Sequence, residues 1–435
     1  MLSAKKIMYK KISLFGLASL LGFAAQAQNE NSPYSRYGLG DVVPSQHVIN
    51  RGMGGISAAY YDFQSVNFVN PASYSRLKVT TLDIGAEIDS RTIRTTNPLS
   101  KFNGVSPTIS YLQVGIPLST KRNWGMNIGL RPLTRINYNI QSSERLPGID
   151  SVRTLYKGTG GSYQVYVGTG FSVGKLSLGV NAGYLFGTKE YNRERYFIPD
   201  SAYSFYYPGA YRTKANYGGF FLNYGAQFRQ KLSKKTYLQL GAYGNIKQTL
   251  NGRKDEIIET FRVDVDGTKT IDSVSTTLDV KGDVIYPQNF GVGFMINSAD
   301  RILFGADYSM SKWSEYRFLG EADRVQDSWK FNVGGQLLPN IINPKTYWGR
   351  VAYRAGFMYG KDYIKVNENL PVYSITFGMG LPMRKAQYTN QYSVIHTSIE
   401  VGQRGTKDNL IRENYFRFAL GFTLSDIWFI KRKYD

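Results

Sequence analysis

The sequence predicts an all-β fold, a transmembrane antiparallel β-barrel of about fourteen strands with an N-terminal plug in its lumen. Three observations predict it. Apolar residues alternate with small polar ones over runs longer than the strands of soluble sandwiches. Beyond the N-terminus no stretch offers the roughly 18 consecutive apolar residues of a spanning helix. Finally, the connections between runs alternate between short and long, as they do in single-chain outer-membrane barrels.

In chain order, residues 1–27 read as a signal peptide. Lys5, Lys6, Lys10 and Lys11 precede an apolar run from Ile12 to Ala25, and "AQA" ends at Ala27 with the small residues of a cleavage site. The chain has no cysteine, which excludes disulfides, thiol chemistry and a lipid-anchored lipobox. The formal charge of +21 drops by four when the leader lysines are removed. Its basic residues are scattered singly, which speaks against a nucleic-acid module and for a membrane surface as partner. The 34 Tyr, 24 Phe and 45 Gly recur without a composition shift that would mark a linker, so one β body from residue 79 to 435 is the simplest division.

The alternation assigns faces. In "NYFRFALGFTLSD" Phe416, Phe418, Leu420, Phe422 and Leu424 share one side, while Tyr415, Arg417, Ala419, Gly421 and Thr423 share the other. "PVYSITFGMGL", "KLSLGVNAGYLF" and "WGMNIGLRP" repeat the split, the last with Arg131 on the polar face. That polar face is mostly Gly, Ser, Thr, Asn and Tyr with few charges, which suits a crowded lumen better than a solvated exterior. Runs of this kind place strands near 79–93, 106–118, 123–138, 161–173, 175–191, 210–231, 235–250, 276–297, 301–318, 328–338, 346–361, 371–383, 391–403 and 414–428. Long loops are expected at 139–160, 192–209 and 251–275, and short turns at "STKRN", "VGK", "KLSKKT" and "NSADR". Short turns belong to the periplasm, so both termini are expected there, in the outer membrane of a Gram-negative bacterium. These turns carry Lys121, Arg122, Lys175, Lys231, Lys234, Lys235 and Arg301. They are either contacts to anionic lipid of the inner leaflet or ordinary solvated turns.

Residues 28–78 precede the first strand and show little period-two pattern. A barrel of about fourteen strands is too wide for its own side chains to fill, so this segment is expected to plug it. Its candidate gating residues are Gly52, Gly54 and Gly55, which permit tight backbone, and Asn70, Pro71 and Ala72. Pro71 fixes its own φ and restricts Asn70 to extended geometry, a stiff corner between lumen and wall. With its glycine-rich stretch, Asp62 and "NFVNPASYSRL" ahead of the first strand, the chain resembles the long-chain fatty-acid transporter (FadL/TodX) superfamily. That superfamily's Bacteroidetes relatives include PorV-like barrel subunits of secretion machinery, and "DIWFIKRKYD" is similar to endings from that phylum. The resemblance implies a plugged barrel. Ser73 and Tyr74 stand where the family usually has Gly and an apolar residue, so the resemblance says less about substrate.

No catalytic chemistry is legible. His47 and His396 are far apart in sequence and no Cys accompanies them, so neither a zinc site nor any other cofactor is expected. "VDVDGTKT" lacks the later ligands of a calcium loop and reads as an Asp-Gly hairpin turn. "GTGG" at Gly158 lacks the ending of a phosphate loop. One external stretch, "YFIPDSAYSFYYPGAY", gathers Tyr196, Phe197, Tyr203, Phe205, Tyr206, Tyr207 and Tyr211. Self-packing in an aromatic girdle, docking of another protein and capture of an apolar ligand all fit it. Two functions follow from this reading. The first is passive uptake of hydrophobic small molecules such as long-chain fatty acids. The alternative is a non-transporting barrel subunit of an outer-membrane protein secretion or assembly complex. Expected partners are outer-membrane lipid, together with a hydrophobic ligand or other outer-membrane proteins.

Overall fold

A computed structural model describes residues 32–96, 99–147, 150–199, 206–264, 267–339, 346–366, 368–383 and 392–426. The leader at 1–27 and two of the external aromatics, Tyr203 and Phe205, lie outside the described residues. In chain order the strands are β1 (Asp41–Val42), β2 (Thr80–Thr96), β3 (Leu99–Ser119), β4 (Trp124–Arg145), β5 (Ser151–Val173), β6 (Leu176–Ile198), β7 (Gly209–Lys231), β8 (Thr236–Asn245), β9 (Gln248–Asp264), β10 (Gly267–Tyr286), β11 (Asn289–Ser298), β12 (Ile302–Ser311), β13 (Arg317–Phe318), β14 (Ser328–Leu337), β15 (Ala352–Val366), β16 (Glu368–Pro382), β17 (Tyr392–Arg404) and β18 (Ile411–Asp426).

β8 and β9 form one stave against β7, and β11 and β10 form the next. The second stave breaks at Pro287, which has no N–H to give to a ladder. Setting aside the two-residue β1 and β13, the described strands make a closed antiparallel barrel of 14 staves. Closure is made by β18 on β2, with Ile411 opposite Thr95 and Asp426 opposite Thr80. Closure matters because backbone polar groups in hydrocarbon have no water to bond. Among the described residues no helix is long and apolar enough to cross a membrane.

The faces follow the alternation. On β18, Phe416, Phe422 and Leu424 are exposed, while Tyr415, Thr423 and Ser425 are buried against the lumen. On β16, Tyr373, Ile375, Phe377 and Met379 point out, and Ser374 and Thr376 point in. An apolar outer band around a polar interior is stable only with lipid outside.

The structure corrects the sequence reading at two places. The segments read as long loops are largely strand, and the connections shrink to 146–150, 199–208 and 265–266. Beyond the membrane both faces of a strand meet water, so the period-two signal disappears although the ladder continues. β10 is an example, exposed on both faces over residues 267–281. The run at 301–318 is strand only to Ser311; the chain then turns through Trp313–Glu315, and β13 pairs sideways with β10. The first and last described residues lie at opposite rims of the barrel. Ser32, the first described residue, lies beside Glu413 and Tyr34 bonds the Ile411 carbonyl at the start of β18, whereas Asp426 ends β18 at the opposite rim.

Among the described residues the wall splits between β3 and β4. β3 pairs with β4 only from Leu112 opposite Leu130 to Ser119 opposite Trp124. Above that level β3 holds only β2, and β4 holds β5. Pro107 and Pro132 flank the divergence; neither can donate a ladder hydrogen bond, which is why proline in sheets marks edges and bulges. β1 enters the split, with Asp41 opposite Arg135 and Val42 opposite Thr134 on β4.

Candidate functional site

Residues 32–78 descend inside the barrel from the tall-hairpin end to the short-turn end. The descent begins with a 3₁₀ turn, Pro33–Arg36, capped by Ser32, whose hydroxyl accepts from Tyr34 N at 3.1 Å and donates to Glu413. Thr134 Oγ1 holds the Leu39 carbonyl at 2.7 Å. His47 caps a single helical turn, α1 (Val48–Arg51), its Nδ1 accepting from Ile49 N at 3.1 Å. Ile49, Met53, Ile56, Ala59 and Tyr60 then pack against Met295 and Leu303 of the wall.

The candidate gating residues all lie in this descent. Gly52 abuts Gly378 of β16. Gly54 has φ +70°, donates to Thr376 Oγ1 at 2.8 Å, and lies so close to β14 and β15 that a Cβ would reach 2.7 Å from Val333 O and 2.8 Å from Phe357 N. Gly55 has φ +90°. Asn70 is extended (φ −116°, ψ 102°), as the residue before proline must be. Its Nδ2 donates to Ala58 O at 2.6 Å and to the wall carbonyls of Ala226 and Ala242 at 3.2 Å, while its Oδ1 accepts from Ala72 N at 3.1 Å. Pro71 does not break structure here. It occupies the first position of a 3₁₀ helix, Pro71–Arg76, where its missing N–H costs nothing. The wall accommodates this backbone with inward glycines: Gly179, Gly225, Gly241, Gly334 and Gly356 would each drive a Cβ into the segment from Met53 to Ala72. Ala72 itself is fully buried.

Charge is the feature that face-by-face reading missed. The lumen has many inward charges, but they are concentrated on β2, β17 and β18. Arg91 reaches Asp41 at 2.6 Å, Asp89 at 2.8 Å and Glu413 at 3.2 Å. Arg404 reaches Asp41 and Asp362 at 2.9 Å, and Arg417 reaches Asp89 at 3.2 Å and Glu400 at 3.3 Å. Arg51 of α1 bonds Glu87 at 2.6 Å. Burial alone would raise the Asp41 carboxyl; Arg91 and Arg404 outweigh it and hold it below the ordinary carboxylate range. Asp62 has no such cations in contact, and burial raises its carboxyl despite hydrogen bonds from Gln64 N and Tyr60. In the sequence, Asp83, Glu87, Asp89 and Arg91 at alternate positions were the available signal.

The two histidines, distant in sequence, are brought together with ring centroids 5.7 Å apart, and His47 Nε2 lies 3.6 Å from Asp83. Among the described residues no group of three metal-ligating side chains occurs. The described external aromatics pack on one another and on neighbouring strands. Phe197 lies 5.2 Å from Tyr206, Tyr196 meets Phe261 edge-on at 5.8 Å, and Tyr211 donates to Glu256 at 2.8 Å. Tyr206 and Tyr207 also keep exposed surface. These residues lie on the hairpins beyond the barrel and are not part of the lumen cluster.

A closed barrel of 14 staves with its N-terminal segment inside is a fold shared with solved outer-membrane barrels of the FadL/TodX kind. The Pseudomonas putida toluene transporter TodX superposes with TM-score 0.56 at 16% identity, covering 89% of this chain and 99% of that one. A Pseudomonas aeruginosa FadL homologue gives 0.57 at 11%, covering 89% and 100%, and the monoaromatic hydrocarbon channel CymD gives 0.53 at 15%, covering 90% and 99%. No curated protein matches the chain in sequence. The chain belongs to the BamG family, whose model matches residues 8–435.

Proposed function

We propose that this barrel is a sealed, non-transporting subunit of an outer-membrane protein secretion or assembly complex, with residues 32–78 as its permanent plug. The observation that carries this is the fastening of that segment. Buried ion pairs from Asp41 and Arg51 to two wall strands, β2 and β17, hold it, and inward glycines let it touch five others. A hydrophobic ligand needs a largely apolar passage of several hundred Å³. Among the described residues the lumen holds a cavity of about 270 Å³ whose lining sets Arg51, Arg91, Lys330, Glu400 and Arg417 among apolar residues such as Leu133, Trp313 and Met358. An apolar molecule seated there would desolvate those charges at a cost. Membership of the BamG family points the same way, to other outer-membrane proteins as partners.

The second reading, uptake of a hydrophobic small molecule, is favoured by the split between β3 and β4, a lateral route from the lumen to the bilayer. Purification in mild detergent separates the two readings. A stoichiometric complex with other outer-membrane proteins, and whole-cell toluene or fatty-acid uptake unchanged on deletion, supports the subunit. A lone barrel with bound apolar ligand overturns it.

A further inference from the structure

The short-turn rim is strongly basic. Its turns at 120–123, 174–175 and 231–235 hold Lys121, Arg122, Lys175, Lys231, Lys234 and Lys235 and no Asp or Glu, while the turn at 299–301 carries both Asp300 and Arg301. Short turns face the periplasm. Within this ring, closing the barrel from below, lies a floor made by the end of the N-terminal segment. Arg76 and Arg229 flank the Tyr61 ring at 5.8 and 5.6 Å, and Arg229 also covers Tyr237 at 3.9 Å. Among the described residues neither guanidinium has a carboxylate within ion-pair distance, and Arg229 Nε is buried without a hydrogen-bond partner. Phe63, two residues beyond Tyr61, is 54% exposed, and its carbonyl accepts from Lys78 N, two residues beyond Arg76, at 2.9 Å. Two cations side by side without a counter-charge repel each other and cost stability, unlike the paired charges higher in the lumen.

We propose that this floor is a docking site for an acidic segment of a periplasmic protein, which pairs its carboxylates with Arg76 and Arg229 and packs an apolar side chain on Phe63. The proposal rests on the subunit reading and names the face at which a partner engages. Charge complementarity selects the chemistry: planar guanidiniums take carboxylates in bidentate pairs. Position selects protein over lipid. Headgroups of the surrounding leaflet reach the outer side of the turns, whereas Phe63, Arg76 and Arg229 lie inside the ring of staves.

The test places a benzophenone amino acid at position 63 of the full-length protein in living cells and, separately, at Leu232 on the rim as a control. Irradiation at position 63 is expected to give a discrete protein adduct, lost in Arg76→Gln/Arg229→Gln. In phosphatidylcholine nanodiscs, a fluorescent Glu-rich peptide bearing one Phe is expected to bind in a salt-sensitive manner and at least tenfold more weakly to that double variant. Phe63→Ser, at an exposed position that leaves folding intact, is expected to weaken it several-fold. Crosslinks to lipid alone, or equal peptide affinity for the wild type and both variants, overturn the proposal. If position 63 captures nothing while the barrel still co-purifies with outer-membrane partners, the floor proposal falls and the subunit reading stands. A lone barrel with no adduct ends both.

Discussion

Arg91→Ala is the sharpest test of how the N-terminal segment is held. The side chain lies between Asp41, Asp89 and Glu413 at 2.6, 2.8 and 3.2 Å, all buried. Its removal leaves three carboxylates facing one another with only Arg404 and Arg417 to balance them. Breaking a buried ion pair by deleting one partner costs about 3–5 kcal/mol, mostly from the stranded charge. The wall ladders from β2 to β3 and β18 do not use this side chain, so the cost falls on the docking of residues 32–43 and not on the barrel. A shift of that size moves the docked-to-released equilibrium by roughly two to three and a half orders of magnitude. Two assays read it: tryptic cleavage at Arg36 and Arg51 in the folded barrel, and single-channel conductance in planar bilayers. Both should rise in Arg91→Ala, and Asp41→Asn in the same chain should restore part of the protection by removing one stranded charge. A variant that stays as protected and as closed as the wild type would show that the ion pairs are not what fastens the segment.

Other perturbations have defined outcomes. Asn70→Ala removes a carboxamide that joins Ala58 to two wall carbonyls, and should cost about 1–3 kcal/mol of segment docking, read as faster proteolysis with an unchanged heat-resistant barrel. Gly356→Val puts a branched side chain where the Met53–Gly54 backbone passes; the segment should be displaced and conductance raised. The Asp41 carboxyl is depressed below its ordinary value of 3.8, so its contribution is fully present above that value and is lost as pH falls through the depressed one. Tryptic protection after exposure to about pH 5 should therefore be no weaker than at pH 8, since the raised Asp62 carboxyl acts in the opposite direction, with release only at strongly acid pH. Replacing Tyr206 and Tyr207 by Ser, on the hairpins beyond the wall, should dissociate an external partner if they dock one and leave whole-cell hydrocarbon uptake unchanged.

The outer face of each membrane-crossing strand was written in its residues. Phe416 to Leu424 and Tyr373 to Leu381 must all point to one side, and a continuous apolar side of that length has no stable place but lipid. The Asn70–Pro71 pair and the glycines from Gly52 to Gly55 likewise carried their own geometry, because φ and ψ restrictions are local. The exposed top of β10 was not legible, since water on both faces erases the period that identifies a strand. The ion cluster was not legible either: Asp41, Arg91, Arg404 and Glu413 are dispersed over more than 370 positions, and only closure of β18 on β2 brings them within bonding distance. The same holds for His47 and His396, and for Arg76 beside Arg229. Sequence by itself determined which surface faces lipid, because hydrophobic alternation acts residue by residue. Tertiary structure alone decided what fills the lumen and how it is fastened, because partners in a closed barrel are set by stagger and circumference rather than by distance along the chain.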